Sequence, residues 1–179
     1  MILTDREIAS ALKYKQLEII PAPAPDAFSS TSVDLTLSGN FSEWESMPGV
    51  AIRPGDSEYK YTNLLKFQKS HAVNQFTLKP KSFVLAWTRE EVRIPINSKL
   101  AARVEGKSSM ARLGVGVHIT APTIHCGFQG SIQLEMFNFG VHDIILDAGM
   151  RICQLIFEQT FGTPEAGYQG LFQNQRPSA

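Results

Sequence analysis

Between residues 31 and 158 the chain is cut into short runs whose apolar side chains recur at every second position. In SVDLTL (32–37), Val33, Leu35 and Leu37 alternate with Ser32, Asp34 and Thr36. A period of two marks one face of a strand. Further runs are read at 76–79, 82–88, 100–104, 115–120, 131–137, 143–146 and 151–158, most bounded by Gly, Pro, Asn or Asp. Strands this short and this closely spaced predict a mainly β domain, a sandwich or closed barrel, rather than a parallel sheet crossed by helices. Residues 40–75 are turn-rich and read as an excursion carrying short strands.

One helix is expected, over 4–17. Thr4 and Glu7 have capping-box spacing, and Ile8, Ala11, Leu12 and Lys15 keep a helical period, with Leu17 near the end. PAPAPD (21–26) then enforces an extended segment. The helix is too short to fold alone, so residues 1–179 form a single domain. Its last stretch, 160–179, is rich in Gly, Gln and Pro and reads as a mobile C-terminal lid.

The 43% hydrophobic and 19% charged content fits a folded chain. Lys+Arg and Asp+Glu are balanced at 17 each, which argues against a nucleic acid polymer as ligand. A small anion needs only a local basic cluster. MILTDREIAS lacks the apolar core of a signal peptide, and no run approaches the roughly 18 apolar residues that span a bilayer. A cytoplasmic protein away from the membrane is therefore expected. Cys126 and Cys153 could form a bridge, though nothing in the sequence demands one, and Cys153, in an apolar strand, reads as a buried free thiol.

Two stretches carry chemistry. In GKSSMARLGV (106–115), Lys107, Ser108, Ser109 and Arg112 crowd together. Ser108 and Arg112 share a face if the turn is helical, and the cations suit phosphate oxygens. The same residues would also suit a capped surface turn with two solvated cations. In SIQLEMFN (131–138), Ile132, Leu134 and Met136 face one way, and Gln133, Glu135 and Phe137 the other. Glu135 either lies in a partly dry pocket, with its pKa raised for proton transfer, or on a solvated strand face. His118, His125 and Cys126 raise the question of a metal. His125 and Cys126 point to opposite faces of an extended segment, and the zinc-deaminase H-x-E and P-C-x-x-C patterns are absent. No zinc is expected. His71 and His142 read as surface residues.

Taken in order, LTDREI, SVDLTL, GKSSMARLGV, HITAPTI, GFQGSIQLEMFN and GMRICQLIFE resemble the dCTP deaminases, relatives of the trimeric dUTPases. The resemblance implies a distorted antiparallel β-barrel, dUTPase-like and of the β-clip kind, assembled as a homotrimer with sites between subunits. It implies hydrolysis of dCTP to dUTP and ammonia, with Mg2+ accompanying the triphosphate. Lys107, Ser108, Ser109, Met110, Ala111 and Arg112 correspond to the family's phosphate-binding run, and Ser108 also to a serine holding the reacting water. The Ala121 backbone lies beside the cytosine amino group. Gln133, Leu134 and Glu135 correspond to the base-reading strand, with Glu135 the proton shuttle. Tyr168 and Gln175 correspond to a tail closing over the nucleotide.

The chain also departs from the family. His125 stands where an aspartate usually contacts the deoxyribose, Lys107 where arginine is usual, Leu171 where the tail often has lysine, and Thr123 at a frequent arginine position. The missing aspartate weighs against a dUTPase or a bifunctional deaminase/pyrophosphohydrolase. The lost contacts leave room for a non-catalytic nucleotide-binding regulator.

Overall fold

The structure, a computed structural model, describes residues 1–177. Helix α1 (Asp5–Lys13) starts where Thr4 donates its backbone N–H to Glu7 Oε2 at 3.1 Å. It buries Ile8 and Ala11. The helix is shorter than the 4–17 expected. Lys15 takes φ 55° and Gln16 N–H closes back on the Ala11 carbonyl at 2.8 Å, so Leu17 enters the core from outside the helix.

Strands follow in the order β1 (Glu18–Ile20), β2 (Phe28–Ser29), β3 (Ser32–Trp44), β4 (Gln68–Ala72), β5 (Gln75–Leu78), β6 (Phe83–Arg93) and β7 (Leu100–Gly106). After a single helical turn, α2 (Ser108–Ala111), come β8 (Val115–Gly116), β9 (Gln129–Asn138), β10 (Ile144–Asp147) and β11 (Arg151–Gln159). All ladders between named strands are antiparallel. The main path runs β7-β11-β3-β6-β9-β8 in a curved, barrel-like sheet, while β5 and β10 pair separately. The mainly β expectation holds, with a barrel-like sheet as its form.

Two strand boundaries and the setting of one histidine differ from the reading of the sequence. β3 does not stop at Leu37 but continues to Trp44, passing its hydrogen bonds from β11 to β6 across a register shift between Leu37 and Phe41. Gly39 permits the passage, since a Cβ there would lie 2.7 Å from the Val73 carbonyl oxygen. The run expected at 115–120 is a strand only at Val115–Gly116. Beyond it the chain leaves the ladder and is held by a two-way backbone bridge between Ala102 and Ile124. His71 is half-buried rather than on the surface, with Nε2 3.0 Å from Glu43 and its ring against Phe76.

The interior is apolar. Leu35, Leu37, Phe41, Leu78, Ile94, Ile132, Leu134 and Met136 are each within 1% of complete burial. Burying such a side chain contributes about 1.5–3 kcal/mol. Cys126 and Cys153 are free and buried, and burial pushes the Cys153 thiol pKa far up, so it stays protonated. No helix among the described residues is long and apolar enough to cross a membrane.

Candidate active site

β9 lies next to the end of the sheet path, between β6 and the two-residue β8, with Ile132, Leu134 and Met136 in the core and Gln133, Glu135 and Phe137 half-buried on the other face. The period-two alternation thus sets Glu135 where expected. Outside that face the irregular segment 117–128 and the C-terminal tail close a cavity of about 260 Å³. Gln133 and Glu135 form one wall; His118, Ala121 and His125 form a second; Tyr168, Phe172 and Gln175 form the third.

Glu135 Oε2 accepts from the Thr120 backbone N–H at 3.3 Å and the Thr120 hydroxyl at 3.4 Å. Both bonds are long, so the carboxylate keeps acceptor capacity for another donor. His118 beside it has both ring nitrogens buried and without a partner among the described residues. Burial lowers its pKa below the ordinary 6.5, against the pull of Glu135 and Glu105. The imidazole is therefore neutral at pH 7, with one N–H to give and one lone pair to offer.

The tail is laid along β9. Asn174 N–H donates to Gln129 at 2.8 Å, Ser131 N–H to the Gln175 carbonyl at 3.1 Å, and Gln175 Nε2 back to Ser131 at 2.9 Å. Tyr168 N–H donates to the Cys126 carbonyl at 2.9 Å, and its ring stacks on His125 at 5.6 Å and 19°. Phe172 meets Tyr61 edge-on, which brings part of the 45–67 excursion to the tail. Two glycines make room. Gly127 has φ +88°, and a Cβ on it would lie 2.7 Å from Tyr168 N. Gly130 has φ +142°, and a Cβ on it would lie 2.7 Å from the Gln175 carbonyl oxygen. The C-terminal tail is thus bonded along β9; its last two residues, 178 and 179, lie outside the described residues.

Of the residues singled out in the sequence, His118, Ala121, Thr123, His125, Gln133, Glu135, Tyr168 and Gln175 meet at this cavity. The run at 107–112 expected to cradle phosphates does not. None of Lys107, Ser108, Ser109, Met110, Ala111 or Arg112 lines it. The cradle is a helical turn, closed by Arg112 N–H on the Ser108 carbonyl at 3.1 Å, with Ser108, Ser109, Ala111 and Arg112 exposed. Met110 and Leu134 are in the core, which leaves their backbones as the groups a ligand could meet. Leu171 is exposed in the tail. The sequence reading missed Thr120, Phe128, Ile132 and Phe172. Thr120 lies within the quoted HITAPTI, yet nothing in a single threonine signals that it will bond a carboxylate fifteen residues on.

Among the described residues no three His, Cys, Asp or Glu side chains converge as a metal site.

The dCTP deaminase-like family matches residues 2–160. The chain is 37% identical over 166 residues to a Methanobrevibacter smithii protein named dCTP deaminase, dUMP-forming, covering 91% of this chain and 82% of that one. The chain belongs to the dCTP deaminase-like family.

A Persephonella marina relative, also named dCTP deaminase, dUMP-forming, is 35% identical over 177 residues, covering 98% of this chain and 93% of its own. One from Haloarcula marismortui, named dCTP deaminase, is 38% identical over 160 residues, 89% and 80% of the two chains. Among solved structures, the 2′-deoxycytidine 5′-triphosphate deaminase of Agrobacterium tumefaciens superposes with a TM-score of 0.66 at 20% identity, over 87% of this chain. This chain spans 47% of that longer one. A dUTPase of Staphylococcus bacteriophage 80alpha gives 0.52 at 11% identity, over 87% and 97%. At these identities the structures speak for the fold, which the family shares with dUTPases. The cavity of this family member is lined by one carboxylate, Glu135, two imidazoles, His118 and His125, and two primary amides, Gln133 and Gln175.

Proposed function

We propose that the protein hydrolyses dCTP to dUTP and ammonia, taking its substrate as the magnesium complex. One observation carries the reading: Glu135 is the sole carboxylate among the residues lining the cavity, and it stands beside the carboxamide of Gln133 on one strand face. Water is a poor nucleophile toward C4 of cytosine. Glu135 takes a proton from it as the oxygen adds to C4, and passes that proton to N3. The tetrahedral carbon then expels its amino group as ammonia, with a proton delivered through the same carboxylate. The C4–N bond breaks, a C4–O bond forms, and one water is consumed. Gln133 has both an acceptor and a donor for the base edge. The Ala121 backbone borders the amino group, and the Tyr168 and Gln175 tail keeps bulk water out.

The cradle faces solvent away from its own chain's cavity, which supports a homotrimer in which Ser108, Ser109 and Arg112 of one copy complete the site of the next. In that arrangement Ser108 orients the attacking water and Arg112 binds phosphate oxygens.

A second reading is deamination followed by loss of pyrophosphate, giving dUMP. The names of the Methanobrevibacter and Persephonella relatives favour it. Attack at phosphorus needs its own water-activating group. At position 125 the chain offers an imidazole face-packed on Tyr168 in place of a carboxylate, so we assign the product as dUTP.

Purified protein with magnesium and dCTP, resolved by ion-exchange chromatography, tests this. The expected products are dUTP and ammonia. dUMP with pyrophosphate would establish the second reading, and saturable binding without any product would make the protein a nucleotide-binding regulator. Glu135→Gln is expected to slow ammonia release about 10²–10⁴-fold with nucleotide affinity largely kept.

A further inference from the structure

Lys107 opens the cradle, where a cation's obvious use is to meet phosphate. Its side chain is engaged elsewhere. Lys107 Nζ lies 2.5 Å from Asp34 Oδ2 on β3, and the Asp34 side chain is only 8% exposed. Ser108, Ser109 and Arg112 alongside it are exposed. Arg112 pairs with no carboxylate among the described residues.

The pair belongs to a larger polar mount. In the β3–β11 ladder Asp34 stands opposite Gln154. Gln154 Oε1 accepts from the Ser32 hydroxyl at 3.0 Å, and its Nε2 donates to the Gly106 carbonyl at 3.2 Å. Gly106 is the residue before Lys107. Two consecutive residues at the end of β7 are thus fastened to β3 and β11 just as the chain turns into α2. Moving Lys107 onto a phosphate would strand a buried, charged Asp34, and breaking such a pair is strongly unfavourable.

We infer that Lys107 is a positioning residue: through Asp34 it docks the cradle on the sheet and leaves phosphate contact to Ser108, Ser109 and Arg112. The inference rests on reading 106–112 as the triphosphate cradle. It also accounts for an orphan. Asp34 Oδ1 is buried with no donor among the described residues. One ammonium serves one carboxylate oxygen here, whereas a guanidinium fork spans both.

A double-mutant cycle on Mg·dCTP affinity, read by calorimetry with folding checked by circular dichroism, tests it. Asp34→Asn and Lys107→Met should each weaken binding by about tenfold, and the double variant should be no weaker than either, the signature of one coupled unit. Lys107→Arg should bind within about twofold of wild type and melt at a higher temperature, because its fork reaches the orphaned oxygen. Tighter binding by Asp34→Asn, as from a lysine set free for phosphate, or losses that multiply in the double variant, would overturn the inference. If the neutral variants fail to fold, acetylation of Lys107 in the unaltered protein decides. A rate unchanged by saturating Mg·dCTP upholds the role, and strong protection by nucleotide overturns it. A wild-type protein that does not bind Mg·dCTP overturns the cradle reading together with the inference, whereas binding with additive losses overturns the inference alone.

Discussion

His118 puts a neutral ring into the cavity wall with neither nitrogen paired, and its environment dictates a pH response. Its folded-state pKa lies below the ordinary 6.5 because burial penalises the charged form. Above 6.5 the ring is neutral in both folded and unfolded chains and contributes no slope. As pH falls below 6.5 the unfolded chain takes up the proton first, so stability declines until the folded-state ring protonates as well. Melting temperatures between pH 5 and 7.5 should show this decline in the wild type and less of it in His118→Gln. Glu135 was legible at this scale, since alternation alone sets it opposite Leu134 and Met136. The commitment of Lys107 to Asp34 was not, because the partners are 73 residues apart and neither announces the other.

Among the elements, β9 bears most weight, flanked by β6 and β8 and carrying the candidate base-reading residues on its half-buried face. Its core side is unforgiving: Leu134 is fully buried, and Leu134→Ala should cost about 2–5 kcal/mol in urea unfolding. The tail is a different kind of element, held by a handful of backbone bonds and three aromatic contacts. A chain ending at Gly167 should keep its fold and lose turnover by about 10²-fold, with KM raised, in steady-state assays of dCTP deamination. The strands at 76–79, 100–104, 131–137, 143–146 and 151–158 were readable from the alternate residues they bury, and the one at 82–88 from a continuous apolar run, since 84–88 are all buried. The extension of β3 to Trp44 and the loss of the strand after Gly116 were not. Both depend on which neighbour supplies the hydrogen bonds, and a local pattern carries no information about that.

For the whole molecule, the proposed homotrimer would make assembly part of the chemistry. If each site takes Glu135 from one copy and Arg112 from the next, Glu135→Gln and Arg112→Ala homo-oligomers are both inactive. Refolding them together in equal amounts should restore about a quarter of wild-type activity, since one ordered neighbour pair in four carries both intact groups. No recovery would mean that each copy builds its site alone. The barrel-like fold could be read from strand spacing and motif order, and half of the candidate site from β9 and the tail. In the proposed homotrimer the other half would come from a second copy, and no sequence pattern names its own neighbour.

Gly127 and Gly130 carry a cost for how this chain can change. Where the terminal segment crosses them, a single added methyl would collide with main-chain atoms, which cannot swing aside as a side chain would. An alanine at either place would act like a wedge under a door, leaving the barrel sound and the cavity unsealed. These positions and residues 167–175 are therefore bound to vary together, and a graft of a foreign tail onto this barrel would succeed only if its backbone followed the same line over two missing side chains.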